Sequence, residues 1–204
     1  MEQKYEVTIG IPVYNVEKYI RQTLDSALAQ TFKSIEFLIC DDCGTDSSIS
    51  IVEEYQQTHP RGKDIRIVRQ PQNKGIGEGR NRIIDEASGR YLYFMDADDT
   101  IEPNTIQLLY ENAQHYQAEI VYGSHERIEM FCEEVKRMPK LFASMQFLNE
   151  YDFASWAYDA YDNLPAMTWN LLIDIDIYRK NALRYQPINY WEDFTMTIFS
   201  ATAF

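Results

Sequence analysis

The sequence predicts a wound α/β domain, a mostly parallel central sheet with helices on both faces, and three observations point to that class. From Tyr5 to Tyr122 short β-branched or aromatic runs alternate with longer stretches of helical period. One run, Ile35 to Cys40, is unbroken apart from Glu36 rather than alternating, as a strand covered on both faces requires. A chain of 204 residues with 45% hydrophobic content is long enough to bury one core of this kind.

Glu6 to Val13 reads as the first strand. Asn15 is placed to cap a helix whose apolar stripe is Val16, Tyr19, Ile20, Leu24, Ala27 and Leu28. Ile35 to Cys40 is apolar except for Glu36 and stops at the adjacent acids Asp41 and Asp42. A helix from about Asp46 to Thr58 buries Ile51, Val52 and Tyr55, and Ile65 to Val68 gives a third strand. The loop Gln70 to Gly75 leads into a helix with Ile76, Ile83, Ile84 and Ala87 on one face, with Gly89 as its stop signal. Tyr91 to Met95 is the fourth strand and runs into Asp96, Ala97, Asp98 and Asp99. Pro103 suits the first position of a helix carrying Ile106, Leu109, Tyr110 and Ala113, and Glu119 to Tyr122 is a fifth strand.

Beyond Gly123 the period is lost, and Ser124 to Asp162, rich in Met, Phe and Tyr, reads as mixed helix and loop. No internal repeat or low-complexity linker divides the chain. Residues 1–204 are therefore read as one domain, with a ligand-binding half over 1–122 and a second half over 123–204. Phe194 to Phe204 has an amphipathic helical pattern that stops on apolar residues without Gly, Asn or Pro, the expectation for a protein that continues further.

Nineteen Lys and Arg against thirty-two Asp and Glu give a formal charge of −13. That balance argues against nucleic acid as a partner and against a polybasic membrane surface. No apolar run reaches the roughly 18 residues of a spanning helix, and Met1 to Tyr5 lacks the pattern of a signal peptide. The odd number of cysteines, Cys40, Cys43 and Cys132, fits a reducing compartment. A cytoplasmic protein is expected. Cys40 and Cys43 form a C-x-x-C string, but without a second pair or ligand-spaced histidines Cys40 reads as a small core residue.

In a parallel α/β sheet, ligands bind outside the carboxyl ends of the strands. Three of those ends are chemically unusual: Pro12-Val13-Tyr14-Asn15 after the first strand, Asp41-Asp42 after the second, and Asp96, Asp98 and Asp99 after the fourth. Five carboxylates on one edge repel unless cations or hydrogen-bond donors are recruited. Carboxylates one residue apart on a loop can hold Mn²⁺ or Mg²⁺ and leave positions for diphosphate oxygens. Tyr14 offers a flat face to a base and Asp42 an acceptor for a base N–H.

Taken in order, these segments resemble the family 2 glycosyltransferases of GT-A fold, the bacterial polysaccharide and glycolipid type, over nearly the whole chain. Ile11-Pro12-Val13-Tyr14-Asn15 is similar to the opening motif. Asp41-Asp42-Cys43-Gly44-Thr45-Asp46 is similar to Asp-Asp-Gly-Ser-Thr-Asp, with Cys43-Gly44 in place of Gly-Ser. Asn73-Lys74-Gly75 through Arg80-Asn81 resembles the next loop and helix start, and Asp96-Ala97-Asp98-Asp99 the Asp-x-Asp metal motif. Trp169-Asn170 and Glu192-Asp193 resemble two late motifs.

The resemblance implies that Tyr14 stacks on the base, with uracil the leading candidate, and that Asp42 accepts its N–H; Pro12 belongs to the same donor-binding set. It implies that Asp96 faces the ribose and the metal, that Asp98 ligates the metal, with Asp99 able to replace either, and that Lys74 and Arg80 lie near the diphosphate or order the acids. Asp193 would be the catalytic base, and Mn²⁺ or Mg²⁺ the cofactor. The implied reaction moves a sugar from a nucleoside-diphosphate donor to a saccharide or lipid-linked acceptor with inversion, with peripheral membrane contact through a missing C-terminal extension left open. Leu171 stands where the family usually has Lys, so that role has either passed to Arg179 or Lys180 or the acceptor has changed. Two other classes share this residue set: a metal-dependent nucleotidyltransferase, and a catalytically degenerate module that holds a nucleotide-sugar without turnover.

Overall fold

The computed structural model describes residues 4–131, 134–141, 145–146, 152 and 168–186. Its first strand, β1 (Tyr5–Val13), is the centre of the molecule. It pairs in parallel with β2 (Ile35–Asp41) on one side and β4 (Gly89–Phe94) on the other, and β3 (Ile65–Arg69) extends the sheet beyond β2. Every residue of β2 is buried, as its unbroken apolar run requires.

Helices cover both faces. Α1 (Ile20–Leu28), α2 (Ser48–Thr58) and α4 (Thr105–Tyr116) pack on the face formed by Val7, Ile9, Ile11, Phe37, Ile39, Tyr91 and Tyr93. On the other face α3 (Ile76–Glu86) and α5 (Ile175–Lys180) cover Leu38, Cys40, Leu92 and Phe94. Gly10 lets α3 come close: a Cβ there would stand 2.4 Å from Ile83 Cγ2. Within β1, β2 and β4 the even-numbered residues face α3, because successive side chains alternate between faces.

Several expectations are corrected. Asn15 does not cap α1: its backbone is left-handed (φ 52°), and its side chain instead accepts the Thr45 N–H at 2.7 Å. Gly89 opens β4 rather than ending α3, and Pro103 lies in the turn before α4, which starts at Thr105. Ile76 is 41% exposed, not a core residue of α3. β5 (Ile120–Tyr122) does not lie beside β4. Between them runs β8 (Leu171–Asp174), antiparallel to both, giving the order β3-β2-β1-β4-β8-β5. A separate antiparallel hairpin, β6 (His125–Phe131) with β7 (Glu134–Lys140), occupies a stretch read from sequence as helix and loop. Its dense charges, Glu126, Arg127, Glu129, Lys136 and Arg137, hide the alternation that marks a strand.

Candidate functional site

The odd-numbered Asp41 and the even-numbered Asp42 leave β2 on opposite faces of the sheet. Asp41 stays near its own strand: Oδ1 accepts the Cys43 N–H at 2.9 Å and Oδ2 lies 3.6 Å from Arg69 Nε. Cys43 follows in a left-handed conformation (φ 59°) with Sγ 3.1 Å from the Gln70 carbonyl, so a side chain stands at a position where the resemblance expects glycine. Asp42 is buried on the α3 side. Its Oδ1 accepts the Lys74 N–H at 2.8 Å and its Oδ2 the Gly75 N–H at 2.9 Å.

The loop after β1 and the turn after β2 are laced together by the remaining polar groups. Asp46 accepts the N–H groups of Ser48 (3.0 Å) and Glu17 (2.9 Å), and the Ser48 hydroxyl accepts the Val16 N–H at 2.9 Å. Tyr14 sits on this scaffold half-exposed, its ring open to solvent beside the sheet edge. Pro12, one turn of pleat earlier, faces Gly79 of α3, where an added Cβ would stand 3.6 Å away.

After β4 the chain turns at Asp96, whose carbonyl accepts the Asp99 N–H at 3.1 Å. Asp96 takes an ion pair from Arg80 Nη2 at 3.1 Å, and Arg80 itself is only 1% exposed. Asp98 is exposed and Asp99 half-buried. Burial, and then the charges of Asp96 and Asp98, push the Asp99 carboxyl up to about 6. Lys74 holds its backbone on Asp42 with its side chain exposed. Pro12, Tyr14, Asp42, Lys74, Arg80, Asp96 and Asp98 thus share one sheet edge, and Asp193 lies outside the described residues.

The donor set has the chemistry a hard divalent cation prefers: carboxylate oxygens on a loop, the Asp98 carboxyl exposed and the Asp99 carboxyl pushed up by burial and then by its neighbours' charge. Among the described residues no group of three or more His, Cys, Asp or Glu is placed to hold a metal ion by itself.

Sequence reasoning missed Tyr185 and named Asn81 and Trp169 only as members of motifs, without a role. Tyr185, 2% exposed, packs against this edge from far along the chain. Asn81 binds the Tyr185 backbone. Trp169 bridges to Phe94 next to the acid loop and meets the His125 ring edge-on at 4.9 Å. Leu171 is buried in the core behind α3, and Arg179 donates to the carbonyls of Ile84 and Ala87 at the amino-terminal end of β4. Arg179 is therefore spent on closing α3, and Lys180 pairs with Asp176 on the surface; neither takes the place of a Lys at 171. Cys40 is buried with its thiol pushed up to about 12, chiefly by burial, and it is a core residue rather than a redox partner of Cys43. No helix among the described residues is long and apolar enough to cross a membrane.

A mostly parallel sheet whose strand ends gather an aromatic ring, a buried carboxylate and an acidic loop marks that edge as the ligand site of an α/β fold. Residues 8–185 match the glycosyl transferase family 2 profile, and the chain belongs to that family. It is 38% identical over 120 residues to the glycosyltransferase GlyA of Streptococcus pneumoniae serotype 4, covering 59% of this chain and 17% of GlyA. Chondroitin synthase of Escherichia coli is 38% identical over 124 residues, 60% of this chain and 18% of that protein. The chain thus spans under a fifth of these relatives. Residues 1–349 of Staphylococcus aureus TarS, solved with UDP, superpose with a TM-score of 0.74 at 20% identity, covering 97% of this chain and 55% of that one. The fold is GT-A.

Proposed function

We propose that the chain binds a nucleoside-diphosphate sugar, with a UDP-sugar the leading case, and transfers the sugar with inversion to a hydroxyl of a saccharide or lipid-linked acceptor. The observation that supports this most is that Tyr14, Asp42, Asp96 and Asp98 all follow the carboxyl ends of neighbouring parallel strands in a family 2 chain, with Asp42 bonded to the loop before α3 and Asp96 paired with Arg80 of α3. The saccharide-polymer relative, chondroitin synthase, supports a saccharide acceptor, and the UDP complex of TarS supports the uracil base.

On this reading Tyr14 stacks on the base and the free lone pairs of Asp42 accept its N–H, while the backbone bonds from Lys74 and Gly75 keep that carboxylate fixed. Asp96 faces the ribose. Asp98, with Asp96 or Asp99, would hold Mn²⁺ or Mg²⁺, which when bound stabilises charge on the departing diphosphate. A sugar hydroxyl is a weak nucleophile at neutral pH, so a carboxylate within hydrogen-bond reach takes its proton during attack, and Asp193 is assigned that part. Attack opposite the leaving group inverts the anomeric carbon. Residues 1–122 supply most of the donor side and the remainder the acceptor side.

Calorimetric titration with UDP, in Mn²⁺ and then in chelator, tests the donor half. Saturable metal-dependent binding is expected; absence of binding under both conditions, with GDP and dTDP also silent, overturns it. Asp193→Asn tests the base: transfer is lost with UDP affinity unchanged, and an active variant removes the assignment.

A further inference from the structure

Behind the acid loop lies an arrangement that the roles above do not use. Arg80 is buried to 1% exposure, and an arginine stays protonated in a protein, so its charge has to be met inside the fold. Asp96 meets it from one side at 3.1 Å, and the ring of Tyr185 lies on another, its centroid 5.4 Å from Cζ. An aromatic face at that distance attracts the cation, the more so away from water. Tyr185 is itself wedged edge-on against Phe94, with centroids 5.9 Å apart.

One side chain fixes the backbone of Tyr185 at both of its polar atoms. Asn81 Nδ2 donates to the Tyr185 carbonyl at 3.0 Å, and the Tyr185 N–H donates to Asn81 Oδ1 at 2.8 Å, across 104 residues of chain. Asn81 and Arg80 are consecutive on α3, so a single helical turn grips Tyr185 and aims the guanidinium at Asp96. Gly77 leaves room for the segment to pass, since a Cβ there would stand 3.1 Å from the Gln186 carbonyl.

We propose that Tyr185, clamped by Asn81, is a positioning residue of the donor site: its ring backs the buried Arg80 guanidinium, and through Arg80 it holds the Asp96 carboxylate in place. This rests on the donor-site reading above and extends it, because a residue of the second half of the chain then sets the geometry of the first. Without the ring, the Arg80 guanidinium loses one of the surfaces it packs on, and the Arg80–Asp96 pair is held less firmly. A fixed carboxylate binds at a smaller entropic cost than one that must first be ordered.

The experiment measures UDP affinity in Mn²⁺ and in chelator for the unaltered chain, Tyr185→Phe, Tyr185→Leu, Asp96→Asn and the Tyr185→Leu/Asp96→Asn double variant. Tyr185→Phe keeps the ring and is expected to bind like the unaltered chain. Tyr185→Leu is expected to lose about tenfold, the effect of one ordered charged contact. The double variant is expected to bind no more weakly than Asp96→Asn alone, a non-additivity that general loosening of the fold does not produce. Asn81→Ala, which spares the ring, is expected to weaken binding in the same Asp96-dependent way and decides the matter if Tyr185→Leu does not fold. Full additivity, or undiminished binding by Tyr185→Leu, overturns the proposal while the donor-site reading stands. Failure of the unaltered chain to bind UDP overturns both.

Discussion

Asp42 and Gly75 are joined by a hydrogen bond from the Gly75 N–H to Asp42 Oδ2 at 2.9 Å, and Gly75 makes it from a backbone conformation (φ 85°, ψ 166°) open almost only to glycine. Among the described residues nothing lies within 4 Å of where its Cβ would be. The cost of Gly75→Ala is therefore conformational rather than steric, about 1 to 3 kcal/mol. Urea unfolding is expected to show that loss together with weaker UDP binding, because the loop can relax only by releasing Asp42. Unchanged stability and affinity would show that the loop fixes nothing.

Tyr14 spends little on the fold: its ring is 49% exposed, and the loop that carries it is held by Asn15, Asp46 and Ser48 instead. Tyr14→Ala should thus leave thermal stability nearly unchanged and reduce UDP affinity by ~1 to 3 kcal/mol, the worth of one base–aromatic stack. Tyr14→Phe should retain it. Equal affinities for all three proteins would mean that the base lies elsewhere.

Asp98 and Asp96 are neighbours with different tasks. Asp96 already serves Arg80, whereas Asp98 is exposed on the same turn. Asp98→Ala should weaken UDP binding in Mn²⁺ and leave binding in chelator as it was. Asp96→Asn should also lower folding stability, since a buried arginine then loses one of its carboxylate contacts. Equal loss for Asp98→Ala in metal and in chelator would remove Asp98 from cation binding.

The strand ends were legible because a parallel sheet announces itself by continuous apolar runs, and Asp41, Asp42 and the acid loop stand where those runs stop. Asp42 and Asp96 lie just past the ends of β2 and β4, and their contacts with the loop before α3 and with Arg80 could not be read from the sequence. The pairing of β8 between β4 and β5 was not legible. Leu171 to Ile173 is too short to show a period, and its partners lie 49 to 81 residues away. Tyr185 was hidden for the same reason, as nothing local marks a tyrosine whose contacts are Arg80, Asn81 and Phe94. Arg179, basic and late in the chain, suggested a role at the site and turned out to bind helix carbonyls at the other end of the sheet.

Glu36 is a buried carboxylate that makes the fold sensitive to acid. It interrupts the apolar run of β2 and is buried, yet it accepts hydrogen bonds from the Thr8 hydroxyl (2.7 Å), the Ser88 N–H (2.8 Å) and Arg66 Nε (2.9 Å). Burial pushes its carboxyl up, and the Ser88, Thr8 and Arg66 bonds outweigh burial and leave it below the ordinary carboxylate value. A folded-state value lower than the unfolded one means that the unfolded chain binds the proton first as pH falls. The stabilisation is accordingly complete above the unfolded carboxylate value of about 4.3 and is lost as pH drops through the lower folded value. Chemical unfolding between pH 7 and pH 3 should show this fall. Glu36→Gln should be less stable at pH 7, because Arg66 keeps only Glu86 as a partner, and should show a shallower acid dependence. An acid profile identical to that of the unaltered chain would place the sensitive carboxylate elsewhere.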